Sequence, residues 1–114
     1  AGRGRAAVSR STEELLREAL THFDLAIGYT HAGALDQMTI DAVCLRLASG
    51  IEVLARLESS VRESLFGQDW TLMWGMRNRI AHGYLLVDQG TVRETVERDL
   101  PEIVGTLRRA LGID

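Results

Sequence analysis

The sequence lacks most features that mark secreted, metal-binding and membrane proteins. It contains one cysteine, Cys44, so neither an internal disulfide nor a cluster of metal-bound thiolates can form. No apolar run approaches the ~18 residues of a membrane-spanning helix, and no segment resembles a signal peptide. We therefore expect a cytoplasmic protein. Cys44 lies on the apolar stripe of a predicted helix, and we interpret it as a core residue rather than a nucleophile.

Lysine is also absent, and all 13 basic residues are arginines. Three of them fall within residues 1–10, a Gly- and Ala-rich segment that we expect to be a flexible basic tail or a remnant of cloning. Residues 11–114, the one expected domain, then carry 10 basic and 16 acidic residues, a formal net charge of −6. The overall field of such a domain does not attract nucleic acid, so any nucleic-acid site must be local.

The spacing of apolar residues predicts amphipathic helices from residue 11 onward. Ser11 and Glu14 form a capping box before a first helix that runs to about Thr30. A long second helix carries apolar residues three or four apart as far as Val61. Gly50 lies in the middle of this second helix and should let a neighbouring helix approach closely.

The second half of the chain contains three further helix signals. Apolar residues at helical spacing predict a helix over residues 70–82. Thr91 and Glu94 form a second capping box, and Asp99 is placed to cap a last helix that ends at Gly112. The complete pattern predicts an all-α fold, an up-and-down bundle of four to five helices.

Residues 70–84 differ in composition from the rest of the chain. They include both tryptophans and the only asparagine, and they contain no acidic residue. A helical projection places Arg77 within a broad apolar arc, with Asn78 and His82 on its flank. A buried arginine is rarely unpaired, so a structural ion pair with a glutamate on a facing helix is one interpretation of Arg77. A side chain that reaches water at the bundle edge is another.

Arg77, Asn78 and His82 together also have the chemistry of a site that acts on phosphodiesters. Histidine can move a proton near neutral pH, and a guanidinium can hold a phosphate and its developing charge. RNA supplies its own nucleophile, the 2′-hydroxyl, so its cleavage needs no metal. We expect no metal and no cofactor, because His22 and His31 have no carboxylate partners at ligand spacing.

The sequence of residues 77–84, RNRIAHGY, resembles the R-x-x-x-x-H-x-Y motif of HepT-like toxins, a branch of the HEPN ribonuclease superfamily. Trp70 and the Gly-Met pair at residues 75–76 resemble the family's W-x-x-x-x-G-M-R-N run, and residues 99–101 match its D-L-P. The resemblance covers roughly residues 12–112. It implies a HEPN helical bundle that homodimerises, with the motifs of two subunits at a shared cleft.

The resemblance also implies roles for individual residues. Arg77 and His82 would serve metal-independent RNA cleavage, Asn78 would belong to the same catalytic site, and Arg79 is a further candidate for contact with RNA. In such toxins a minimal nucleotidyltransferase antitoxin adds AMP to the motif tyrosine, here Tyr84. The alternative is a non-catalytic HEPN module that binds nucleotides or only partners the nucleotidyltransferase. The acidic domain is compatible with that alternative.

Overall fold

The computed structural model describes residues 10–33, 35–83 and 87–113 of the chain. Every regular element in these ranges is helical, which confirms the all-α class. None of the described helices is long and apolar enough to cross a membrane. The elements in chain order are α1 (Thr12–His31), α2 (Gln37–Leu54), α3 (Ser59–Phe66), α4 (Asp69–Gly83), α5 (Gln89–Glu94), a π-helical turn (Thr95–Asp99) and α6 (Leu100–Leu111).

The predicted capping box at the start of α1 is confirmed. The Ser11 hydroxyl accepts a hydrogen bond from the Glu14 backbone N–H at 3.1 Å. The Glu14 carboxylate in turn accepts from the Ser11 backbone N–H at 3.3 Å. These bonds favour the charged carboxylate and lower the pKa of Glu14. The helix therefore starts where its local sequence specifies.

The core centres on α1 and α2, with α6 packed against α1 and α4 packed against α2. Its largest fully buried side chains include Phe23 of α1 and Leu107 of α6. The ring of Phe23 occupies the space beside Gly50, where a Cβ would lie 2.4 Å from Cε1 of the ring. The expected close approach at Gly50 is thus confirmed. Cys44 is 1% exposed, as expected of a core residue, and burial raises the pKa of its thiol.

The prediction that the second helix continues to Val61 was wrong. Helix α2 ends at Leu54, and Val61 belongs to the separate helix α3. The chain turns at residues 55–58 with Leu57 buried at the turn. Arg62 stabilises this turn, because its Nη1 donates to the backbone carbonyls of residues 55 and 57 at 3.2 and 2.9 Å. A side chain from the next helix thus satisfies carbonyls that the helix end leaves without partners.

The second predicted capping box was also wrong. Asp88, not Thr91, is the N-cap of α5, and its carboxylate accepts from both the backbone N–H and the hydroxyl of Thr91 at 2.8 Å. The backbone hydrogen bond lowers the pKa of Asp88. The helix is capped three residues earlier than predicted because the carboxylate of Asp88 provides the side-chain acceptor that was assigned to Thr91.

The last helix begins after Asp99 with Pro101 in its first turn, as predicted, but the Asp99 side chain does not cap it. Asp99 has helical backbone angles and makes no capping hydrogen bond with its side chain. The chain instead continues from α5 to α6 through the π turn, in which Leu100 donates its N–H to the carbonyl of Thr95. Pro101 has no N–H to donate within a continuing helix, and the wider turn before it accommodates that loss. The predicted end at Gly112 is confirmed by its left-handed backbone, with φ at 70°.

Candidate functional site

Helix α4 carries the candidate residues and packs against α2 through a narrow buried stripe. Met73 and Ile80, two turns apart, are its buried residues. Trp70 and Trp74 are half-buried and stack with ring centroids 5.9 Å apart. The buried stripe is therefore narrower than the arc that the projection indicates, and Leu72 on that arc is 74% exposed.

Arg77 projects from α4 to the exposed side of α2 and pairs with Glu52. Its Nε and Nη2 both donate to Oε1 of Glu52, at 2.8 and 2.5 Å. Its guanidinium carbon lies 4.8 Å from the centroid of the Trp74 ring. The side chains of Arg77 and Glu52 are 26% and 47% exposed, so the pair lies at the protein surface. The expectation of an ion pair with a glutamate on a facing helix is confirmed.

Asn78 completes the surroundings of the guanidinium. Its Oδ1 accepts a hydrogen bond from Nη1 of Arg77 at 3.1 Å. An arginine has five N–H donors, of which this bond and the two to Glu52 use three. Within the described part of the chain no partner is found for the remaining two, one on each terminal nitrogen. Two N–H groups on adjacent nitrogens suit the bidentate binding of a phosphate.

His82 lies in the last turn of α4, four residues after Asn78, and is exposed. His82 borders a cavity of about 380 Å³, together with Arg79 and residues that precede and begin α5. Arg79 is exposed as well, and its guanidinium contacts the sulfur of Met76 at 3.9 Å. The structure thus joins Arg77 and Asn78 directly and leaves His82 open to solvent one turn away.

Two further predictions concern residues that the structure does not describe. Tyr84, the expected site of AMP addition, lies outside the described residues, as does the tail up to residue 9.

In the described part of the chain, the histidines outside α4 show no sign of a metal site. The Nδ1 atom of His22 lies 3.2 Å from the Nη1 atom of Arg46. Burial and the charge of Arg46 lower the pKa of His22. No group of three or more His, Cys, Asp or Glu in the described ranges is arranged to hold a metal ion.

Glu52 and Trp74 contribute to the site in ways that the sequence did not specify. Glu52 is one of 16 acidic residues, and nothing in its local sequence marks it as the partner of Arg77. Trp74 belongs to the predicted apolar arc, and its ring supports the face of the guanidinium as a cation–π contact. Its position one turn before Arg77 on the same helix could have indicated that contact.

The fold and this site together define a class of protein: an all-helical domain that carries an Arg-Asn pair and a histidine on one helix, the architecture implied for HEPN ribonucleases. Comparison with family profiles then gives the family. The profile described as Ribonuclease HepT-like matches residues 16–110, and the chain belongs to the HepT-like ribonuclease family. Neither the curated proteins nor the solved structures gave a significant match.

Proposed function

We propose that this protein is a metal-independent endoribonuclease, the toxin of a toxin–antitoxin pair. The observation that carries the proposal is the arrangement around Arg77 in a chain of this family. Glu52 and Asn78 orient the guanidinium, and two of its N–H groups remain for a ligand. The exposed His82 lies on the same helix, where it can reach a bound substrate.

The reaction assigned to these residues is an intramolecular transesterification of the RNA backbone. The 2′-oxygen of RNA loses its proton and attacks phosphorus, and the bond from phosphorus to the 5′-oxygen breaks. The products are a 2′,3′-cyclic phosphate and a 5′-hydroxyl. His82 moves the protons, and Arg77 stabilises the additional negative charge on the phosphate in the transition state. Arg79, which lines the same cavity as His82, would contact the adjoining RNA backbone.

A homodimer with a shared cleft is part of the proposal. On α2, Met38 is 81% exposed and Leu45 is 62% exposed. These two residues and Glu52 are seven apart in succession, so they share one face of the helix. An apolar stripe therefore leads along the surface to the Arg77–Glu52 pair, and exposed stripes of this kind mark interfaces. A second copy seated on this stripe brings two His82 side chains to one cleft, where one can accept a proton and the other donate one.

The test of cleavage uses purified protein, single-stranded RNA and excess EDTA. Arg77→Ala and His82→Ala should each reduce cleavage by about 10²-fold or more. Arg98→Ala and His31→Ala serve as matched controls, because both residues are exposed and lie outside the site, and should leave the rate unchanged. Inhibition of the wild type by EDTA, or undiminished cleavage by both site variants, contradicts the mechanism.

Neutralisation by AMP addition to Tyr84 is the second part of the proposal. Tyr84 follows His82 by two residues, so a phosphate attached there could reach Arg77 and occupy the place of the RNA phosphate. Co-expression with a nucleotidyltransferase encoded beside the toxin should add one or more units of ~329 Da to the intact mass. Tyr84→Phe should abolish this addition and leave the protein toxic, whereas Tyr29→Phe should not. An unchanged wild-type mass, or a silenced Phe variant, refutes the assignment.

A non-catalytic module that partners the nucleotidyltransferase is the second candidate function. The acidic composition favours it, because residues 11–114 carry 10 basic and 16 acidic residues and such a domain does not attract nucleic acid. The same cleavage assay separates the two candidates. Binding of the nucleotidyltransferase without any RNA cleavage would support the module.

A further inference from the structure

The guanidinium of Arg77 is fixed on three sides before any substrate binds. Glu52 holds the edge formed by Nε and Nη2, Asn78 accepts from Nη1, and Trp74 lies against the face. A flexible arginine has many rotamers in solution, and each contact removes some of them. The arrangement therefore orients the two remaining N–H groups in advance.

Glu52 is itself flanked by residues of the core. Its neighbours Ile51 and Val53 are buried, and Gly50 meets the ring of Phe23 two residues earlier. The carboxylate thus projects from a helix segment whose backbone is held by the core. A side chain supported in this way can position a partner more accurately than a residue on a loop.

Stability does not account for the pair. Exposed ion pairs contribute little to folding, because water screens the charges and both side chains lose rotamer freedom. Glu52 is nearly half exposed, and Arg77 is about one quarter exposed. Among the other exposed pairs, Arg98 with Glu94 joins neighbouring turns of the chain, and Arg108 with Asp24 joins α6 to α1 at 3.3 Å. The Arg77–Glu52 pair also joins two helices, and it alone among these three involves the proposed catalytic arginine.

We propose that Glu52 is a positioning residue of the ribonuclease site: it fixes Arg77 so that its outer N–H pair faces the RNA phosphate. This inference rests on the proposed function. Glu52 does not touch substrate, and its effect on catalysis passes through the orientation of Arg77. A glutamine at this position keeps an oxygen that can accept the same N–H bonds, whereas an alanine removes the acceptor.

The first test measures kcat and KM for RNA cleavage in three variants. Glu52→Ala should lower kcat by about 10-fold or more with a much smaller change in KM, because the phosphate still binds but the transition state is held poorly. Glu52→Gln should restore kcat to within about threefold of the wild type. Glu94→Ala, which breaks the exposed pair with Arg98, is the matched control and should leave both constants unchanged. An unchanged or increased kcat in Glu52→Ala overturns the inference.

The second test reads the orientation of Arg77 without any cleavage. In ¹H–¹⁵N spectra the Nε–H signal of Arg77, assigned by its loss in Arg77→Lys, should be resolved from those of exposed arginines in the wild type and in Glu52→Gln. It should move to the exposed position in Glu52→Ala. A resolved signal that persists in Glu52→Ala overturns the inference. If the wild type does not cleave RNA, the proposed function fails, and the spectra still report whether Glu52 positions Arg77.

Discussion

The contact between Gly50 and Phe23 makes a quantitative prediction about the core that supports the site. In Gly50→Ala the new methyl carbon would lie 2.4, 2.7 and 2.9 Å from three ring carbons of Phe23. Carbon atoms in ordinary contact are about 3.5–4.0 Å apart, so the ring must retreat by about 1 Å. Phe23 has no exposed surface, although its ring borders a cavity between α4 and α6 of about 350 Å³. The ring can therefore move toward that cavity.

Two terms decide the size of the effect. Overpacking of a core costs about 1–3 kcal/mol, and the neighbouring cavity places this case near the middle of that range, at about 2 kcal/mol. Alanine is favoured over glycine inside a helix by about 1 kcal/mol. We expect Gly50→Ala to lower the free energy of unfolding by about 1 kcal/mol, which for a domain of this size lowers Tm by about 4 °C.

The control and the double variant make the prediction specific. A Cβ at Gly28 in α1 meets no atom within 4 Å, so Gly28→Ala should raise the free energy of unfolding by up to about 1 kcal/mol. Phe23→Leu removes the two nearest ring atoms, and in that background Gly50→Ala should stabilise rather than destabilise. Urea unfolding followed by circular dichroism measures all four variants. If Gly50→Ala stabilises the wild type as much as Gly28→Ala does, the Phe23 contact does not constrain the helices and the reasoning fails.

Two other predictions follow from exposed and half-buried groups. Light scattering after size exclusion at micromolar concentration should give twice the 12.6 kDa chain mass, and Met38→Glu with Leu45→Glu should give the monomer; a wild-type monomer would refute the dimer. The lowered pKa of His22 means that its contribution to stability is present above the ordinary value of 6.5 and is lost as pH falls through the lowered value. Between about pH 7.5 and 5 the free energy of unfolding, measured with urea, should therefore fall less in His22→Asn than in the wild type, whereas His31→Asn should behave like the wild type. Equal decreases in the wild type and both variants would show that His22 does not cause the pH dependence.

Local sequence signals predicted the parts of the fold that local interactions determine. The capping box at Ser11 and the left-handed end at Gly112 each depend on a residue and its immediate neighbours. At Gly50 the glycine itself indicated a close approach, but its partner Phe23 lies on another helix. The end of α2 depends instead on Arg62, which reaches back from another helix to the turn. Apolar periodicity continues across that turn to Val61, so no pattern in the sequence marks it.

The candidate site shows the same division. The spacing of Arg77, Asn78 and His82 on one helix is a local property, and the family match spans the segment that contains them. The partner of Arg77 is not local, because Glu52 precedes it by 25 residues and becomes a neighbour only when α2 and α4 pack. A projection of one helix could show that a partner was needed but could not choose among the acidic residues.

The burial of Cys44 determines how the protein can be labelled. It is the only thiol in the chain, it is 1% exposed, and burial raises its pKa, so the reactive thiolate is scarce at neutral pH. A cysteine introduced on the surface would therefore be the only readily modified thiol without removal of the native one. Placed at Arg98, which is exposed and lies outside the site, a single spin label or fluorophore would report the distance between the two copies of the proposed dimer.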